Sequence, residues 1–173
     1  YVKQAVESPA VDRDRFTSLL IERLPAGSDL LDLGCGAGVP TTRHLADHFN
    51  VTGVDISAEQ VRRARKNVPG AKFLKRDMTE LSFPLRSFDA GIAFFAIIHV
   101  PRLQHSGLFR DIAAWLRPGG LFVASLGARS TESNIEQDWH SVPMYWSHYD
   151  SRTNRLLVEG AGLETVSAEE VTS

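Results

Sequence analysis

Cysteine is almost missing. Cys35 stands alone in 173 residues, so no intramolecular disulfide can form and a zinc site built from cysteines is excluded. No apolar run comes near the roughly 20 residues a membrane span requires, and the N-terminus lacks the basic-then-apolar order of a signal peptide. An excess of one charge is lacking too. The 19 Lys and Arg against 21 Asp and Glu give a formal net charge of -2, which removes any general attraction to phosphate backbones or anionic lipid. The expectation is therefore cytoplasmic residence with neither nucleic acid nor membrane as partner. The chain begins at Tyr1 rather than at a methionine, so its ends are expected to be incomplete.

What is present suits an ordinary globule. Hydrophobic residues make up 43% and charged residues 23%, enough for a single domain over 1–173 with a substantial core. Between Asp12 and Leu24, Phe16, Leu19, Leu20 and Leu24 recur at helical spacing until Pro25-Ala26-Gly27 stops the pattern, which predicts an amphipathic leading helix. DLLDL (29–33) reads as a short buried strand, and GVPTTRHLADHF restarts as a helix with Pro40 near its first turn, where a missing N–H costs little. Strand NVTGVD (50–55), helix SAEQVRRARKNV (57–68) and strand AKFLKR (71–76) continue the alternation. Strand FDAGIAFFA (88–96), a helix from near Pro101 to LRPGG, and strand GLFVASL (120–126) follow. Strands alternating with helices imply right-handed crossovers and a parallel sheet covered on both faces, so the fold class is α/β, doubly wound.

Residues 127–149 interrupt this order. They are polar and then aromatic with no clean period, which predicts an irregular, lid-like insertion. A helix from about Asp150 to Glu159, a stop at Gly160 to Gly162 and a strand LETVSAEEV (163–171) close the chain.

The first strand runs into DLLDLGCGAGVP, with Gly34, Gly36 and Gly38 at every second position. Without Cβ atoms these residues can take positive φ and bring a ligand against the main chain, while the N–H groups of the following helix favour an anionic group. In a doubly wound sheet, ligands lie beyond the carboxyl ends of the strands, where strand order reverses around the first one. A dinucleotide turn requires G-x-G-x-x-G, but here Gly38 is followed by Val39, a spacing that disfavours NAD.

D-x-G-x-G-x-G beginning at Asp32 resembles the first motif of class I S-adenosylmethionine-dependent methyltransferases, and four later segments fit in order: VTGVDIS, KRDM, FDAGIAFFAIIHVP and LRPGGLFVAS. The resemblance covers about residues 12–167 and implies a mostly parallel sheet of order 3-2-1-4-5-7-6, with the seventh strand apparently absent from this sequence. It implies S-adenosylmethionine as cofactor and S-adenosylhomocysteine as product, held by Asp32, Gly34, Cys35, Gly36 and Gly38 at the amino-acid end. Asp55, with Ile56 beside it, would accept from both ribose hydroxyls. Asp77 would bind the adenine amino group with Met78 along the ring, and Phe94 would lie along the methionine part. The chemistry of the residues agrees, because the diol and the amine need acceptors that Asp55 and Asp32 supply.

Each candidate has a plainer reading beside it. Asp55 and Asp77, taken singly, are acids capping a turn at a strand end. Cys35 as a nucleophile is disfavoured by its place in a tight turn. His44 and His48 sit one helical turn apart, but a solvated helix face explains them and no metal is expected. RRARK, Arg62 to Lys66, is the basic face of an amphipathic helix rather than a nucleic-acid site. His99 follows the fourth strand, where the resemblance places an acid or histidine that deprotonates the acceptor, although such a histidine can also simply pack. Tyr145, Trp146 and His148 either anchor the insertion on the core or contact substrate, and Pro40 and Phe95 join them as substrate-binding candidates.

Absences narrow the acceptor. The fourth strand ends in AFFAIIHVP instead of the N/D-P-P-Y of enzymes that methylate amino groups of nucleobases and glutamine, and thiol-rich metalloid chemistry needs more than one cysteine. A small-molecule acceptor remains, with a monomer or homodimer expected. An NAD(P)-dependent oxidoreductase and a non-catalytic module that only binds S-adenosylmethionine stay open as alternatives.

Overall fold

A computed structural model describes residues 13–139 and 142–170. The chain divides into two compact units, one formed by Tyr1–Phe94 with Ala114–Ala124, the other by Phe95–Ala113 with Ser125–Ser173.

The first unit carries a five-stranded parallel sheet. Its elements are α1 (Arg13–Arg23), β1 (Asp29–Leu33), α2 (Thr41–Ala46), β2 (Asn50–Asp55), α3 (Ala58–Asn67), β3 (Lys72–Lys75), β4 (Phe88–Ala93) and, after α4 (His105–Trp115), β5 (Leu116–Ala124). The strand order is β3-β2-β1-β4-β5. The chain thus builds outward from β1 through β2 to β3 and then returns to set β4 on the other side of β1, which makes the gap between β1 and β4 the switch point where ligands gather. The doubly wound α/β expectation holds.

Burial explains why these segments are strands and helices. DLLDL is apolar on both faces because both are covered, and Leu30, Leu31 and Leu33 are all buried. One core gathers Leu20 of α1 and Leu45 of α2 with Leu30, Phe49, Val51, Ala90 and Ile92, while a second gathers Val61, Ala64 and Val68 with Phe73 of β3. Truncating one of the fully buried leucines to alanine typically costs about 2–5 kcal/mol. At the amino ends of the strands, Arg117 reaches Asp89 at 2.6 Å and Asp29 at 3.0 Å, tying β1, β4 and β5 together. Partial burial pulls the Asp89 carboxyl up, but the Arg117 hydrogen bond and the Asp29 N–H prevail and hold it below the usual range. Glycine matters for packing at Gly53, where an added Cβ would lie 2.7 Å from the Phe73 ring and 2.9 Å from Cys35 Sγ.

The second unit corrects two expectations. Residues 127–149 are not irregular: β6 (Thr131–Trp139) and β7 (Val142–His148) form an antiparallel hairpin, pairing Asn134 with Trp146, Ile135 with Tyr145 and Glu136 with Met144. The period of two was obscured because β6 is exposed along nearly its whole length and because the register shifts twice, so neither face reads as continuously apolar. LETVSAEEV carries no strand through Glu170, the rest lying outside the described residues; Val166 is 75% exposed, and alternation without a partner strand leaves backbone groups to water. The predicted sixth strand of the sheet is therefore not formed there, and the parallel sheet ends at β5.

The last helix, α5 (Ser151–Gly160), begins as expected, with Asp150 accepting the Thr153 N–H at 2.8 Å. Asn154, 3% exposed, donates to the carbonyls of Gly127 and Tyr149, both at 2.9 Å, and so joins the segment entering the hairpin to the one leaving it. Among the described residues, no helix is long and apolar enough to cross a membrane.

Candidate functional site

In the first unit the loop after β1 is pinned by the end of β2. The N–H groups of Gly34 and Cys35 both donate to the Val54 carbonyl, at 2.8 and 3.0 Å, and the Gly36 N–H donates to Asp55 Oδ2 at 2.9 Å. This path requires φ of 76°, 54° and 74° at Gly34, Gly36 and Gly38, a region side chains disfavour. The two later glycines differ in their surroundings. A Cβ on Gly38 would press on Val68 at 3.2 Å and on Ala64, so this position seats the loop on α3; a Cβ on Gly36 would meet nothing within 4 Å, so open space lies beside its backbone. Pro40 is exposed at the cap of α2, after a cis peptide bond from Val39.

Three acids stand at the carboxyl ends of β1, β2 and β3. Asp32 is 4% exposed, and its Oδ2 accepts the Thr42 hydroxyl at 2.6 Å. Burial raises its carboxyl to about 6; the Thr42 hydrogen bond opposes that, the charge of Asp55 adds to it, and Arg13 opposes it. It faces a pocket of about 50 Å³ lined by Arg13, Gly34, Cys35, Val39, Thr41 and Phe94. A buried acid of this kind is incompletely compensated and suits a cationic group.

Asp55 accepts the Gly36 N–H at Oδ2 and the Ser57 N–H at Oδ1, the second at 2.8 Å. An ionised carboxylate offers about four lone-pair sites, so one on each oxygen stays available for a pair of donors. Ile56 beside it is 64% exposed. Asp77 caps the short turn Met78–Glu80, taking the N–H and the hydroxyl of Thr79 on Oδ1, both at 2.8 Å, while Oδ2 takes no hydrogen bond among the described residues.

The Cys35 thiol is raised far above its ordinary range, first by burial and then by the negative charges of Asp32 and Asp55, so it stays protonated and unreactive. Among the described residues no cluster of His, Cys, Asp or Glu could hold a metal ion. His44 and His48 lie ring to ring at 5.8 Å on their helix end.

The remaining sequence candidates belong to the second unit. Phe95 has φ of 53°, an uncommon conformation for a large side chain and one that clusters at functional positions. His99 ends the turn Ile97–His99, and its Nδ1 lies 2.7 Å from the Tyr145 carbonyl. A carbonyl only accepts, so Nδ1 carries the hydrogen and Nε2 is left with a lone pair. Burial holds the ring below the ordinary histidine value, the Tyr145 carbonyl opposes this and His148 adds to it. The ring packs on Trp146 at 4.6 Å, and Trp146 meets Trp139 edge-on at 5.0 Å. His148 turns its Nδ1 to the Arg129 carbonyl at 2.6 Å.

Sequence reading overlooked Thr42 and Arg13. Thr42 is the hydroxyl that holds Asp32, and its only signal was a threonine in the first turn of the helix after the glycine loop. Arg13 gives no signal, because its place in the pocket depends on how α1 docks.

Residues 30–120 match the family described as "Methyltransferase domain". A 2-methyl-6-phytyl-1,4-hydroquinone methyltransferase of Synechocystis sp. is 32% identical over 138 residues, 74% of this chain and 43% of the relative. A 27-O-demethylrifamycin SV methyltransferase of Amycolatopsis mediterranei is 33% identical over 174 aligned positions, 91% of this chain and 62% of the relative. The chain thus spans less than two thirds of the length of either relative. Among solved structures, a SAM-dependent methyltransferase of Methanosarcina mazei superposes with a TM-score of 0.71 at 20% identity, over 83% of this chain and 82% of that one, a likeness of fold.

Proposed function

We propose, from the premise that this chain belongs to the class I S-adenosylmethionine-dependent methyltransferases, that it transfers a methyl group to a small-molecule acceptor through a hydroxyl, with His99 as the base. The family match leaves the nicotinamide reading without support. The observation that carries the cofactor side is the row of Asp32, Asp55 and Asp77 at the carboxyl ends of adjacent strands, beside a loop whose Gly36 has open space at its backbone.

These residues fit the cofactor's chemistry. When bound, S-adenosylmethionine supplies an electrophilic methyl on a sulfonium and leaves as S-adenosylhomocysteine. Asp55 keeps one lone pair on each oxygen for the two ribose hydroxyls while its other two hold the Gly36 N–H of the loop and the Ser57 N–H at the start of α3. Asp77 has Oδ2 for the adenine amino group, and Ile56 and Met78 offer apolar surface for the ring. Asp32 complements the ammonium of the amino-acid end, whose positive charge relieves the cost of its burial. Phe94 lines the same pocket. On the acceptor side, His99 is neutral near pH 7 and holds its lone pair at Nε2, so it can take the hydroxyl proton as the oxygen gains the methyl. The rest of the protein's task is to align reactants and exclude water.

The names of these relatives, a hydroquinone and a rifamycin methyltransferase, support a small hydroxylated acceptor. Calorimetry with S-adenosylhomocysteine should give saturable one-to-one binding, and a panel of phenols, hydroquinones and aliphatic alcohols should include one that yields S-adenosylhomocysteine on turnover. Absent binding refutes the cofactor site. Binding without turnover on any acceptor points to the non-catalytic module instead.

A further inference from the structure

Within the second unit, the chain after Ile97 is tied to β7 in two places. His99 Nδ1 meets the Tyr145 carbonyl at 2.7 Å, and three residues on, the Arg102 backbone N–H donates to Ser147 Oγ at 2.9 Å. Ser147 is 1% exposed, and its hydroxyl passes its own hydrogen to the Glu132 carbonyl of β6 at 2.6 Å. One hydroxyl therefore joins three segments, accepting from the His99 loop and donating to β6 while standing on β7. Removing it takes this partner from the Arg102 N–H and the Glu132 carbonyl, two part-buried hydrogen bonds at once.

His105 supplies a third tie from the other side of the loop. It is 1% exposed, and its Nε2 lies 2.9 Å from the Val100 carbonyl, the first after His99. The two histidines thus present opposite nitrogens to carbonyls: Nε2 carries the hydrogen in His105 and Nδ1 carries it in His99. In His99 that choice leaves the outer nitrogen bare.

The His99 tautomer depends on the Tyr145 carbonyl staying in line with Nδ1. A slip of about 1 Å between the loop and β7 takes the pair beyond hydrogen-bond range and removes the preference, so the hydrogen can move to Nε2 and block it. We propose that Ser147 is the positioning residue that fixes the register between the His99 loop and β7, and thereby holds His99 with its hydrogen on Nδ1 and its lone pair on Nε2. This rests on the reading of His99 as the base, but the protonation pattern of the ring can be read without any acceptor.

The experiment is long-range proton–nitrogen NMR on the full chain with labelled histidine near neutral pH. Wild-type His99 should show a protonated Nδ1 and a bare Nε2. Ser147→Thr and Ser147→Val add the same methyl and differ in the hydroxyl, so Thr should keep this pattern and Val should lose it to a mixture of tautomers. S-adenosylhomocysteine affinity, measured by calorimetry, should be unchanged in both. Should Ser147→Val fail to fold, Ser147→Ala removes the hydroxyl without bulk and carries the same comparison. A wild-type His99 protonated on Nε2 overturns the proposal, and so does a hydroxyl-free variant with the wild-type pattern. A wild-type pattern as stated together with a His99 that turnover does not need would instead sink the base reading and leave the positioning role intact.

Discussion

The two compact units hold their polar groups by different means. In the first, side chains hold backbone: Asp55 captures the Gly36 and Ser57 N–H groups, Asp77 captures Thr79, and the loop takes a path that only glycines follow easily. Around the histidines of the second, backbone holds side chains: the Tyr145 carbonyl orients His99 and the Val100 carbonyl orients His105. The difference teaches where chemistry leaves a mark in sequence. A carboxylate or a positive φ restricts the residue type, whereas any residue supplies a carbonyl.

Four substitutions would break or sharpen that contrast. The largest effect is expected for His99→Gln, which keeps a donor for the Tyr145 carbonyl but loses the lone pair; turnover should fall about 10²–10⁴-fold with cofactor affinity unchanged. Because burial depresses the ring, the acid limb of the wild-type rate profile should lie below the ordinary histidine value. The same shift makes folding stability fully present above about pH 6.5 and progressively lost as pH falls through the depressed value. A steady-state rate profile measured alongside calorimetry separates these effects.

Next comes Asp55→Ala, which removes the ribose acceptor and releases the Gly36 N–H. Charged hydrogen bonds are worth roughly 1.5–3 kcal/mol each, so cofactor affinity should drop about a hundredfold or more, while the His99 NMR pattern in the second unit stays as it was. A coupled loss of that pattern would break the comparison.

Asp32→Asn should separate function from stability. The carboxyl is raised from 3.8 to about 6, so the stability advantage of its protonated form is complete below about 3.8 and lost as pH rises through about 6. The Asn variant keeps an oxygen for Thr42 and avoids ionisation. Without cofactor it should be more stable than wild type by on the order of 2–3 kcal/mol at pH 8, with no difference at pH 3.5, while binding the cofactor more weakly. Urea midpoints across pH check the sign.

The smallest effect is expected for Arg117→Ala. Its two ion pairs are partly exposed, so thermal unfolding should register only a small loss of stability, with cofactor affinity unaltered.

The same contrast governs what could be read beforehand. Leu30, Leu31 and Leu33 announced a strand covered on both faces, and Gly34, Gly36 and Gly38 announced its turn, because burial and φ act on those residues directly. Asp32, Asp55 and Asp77 were visible as acids near strand ends, but taken singly they read as turn caps, and their site roles came only with the resemblance to the methyltransferases. The β6–β7 hairpin was not, since an exposed strand with shifted register lacks the alternation that marks one. Thr42 gave only its place in the first turn after the glycine loop, and Ser147 gave nothing: a hydroxyl becomes structural only when folding buries it against groups it can satisfy.

The amino-acid sequence alone determined the alternation of strands and helices that makes a parallel sheet, and the glycine turn after β1, because short-range constraints of burial, spacing and backbone conformation suffice for these; the strand order and the acids' roles came with the resemblance to the methyltransferases. Only the tertiary structure decided which nitrogen of His99 is bare, how strongly Asp32 is desolvated and where the hairpin pairs. Each of these depends on carbonyls and solvent exclusion contributed by residues far along the chain, and neither a carbonyl nor excluded water has a letter in the sequence.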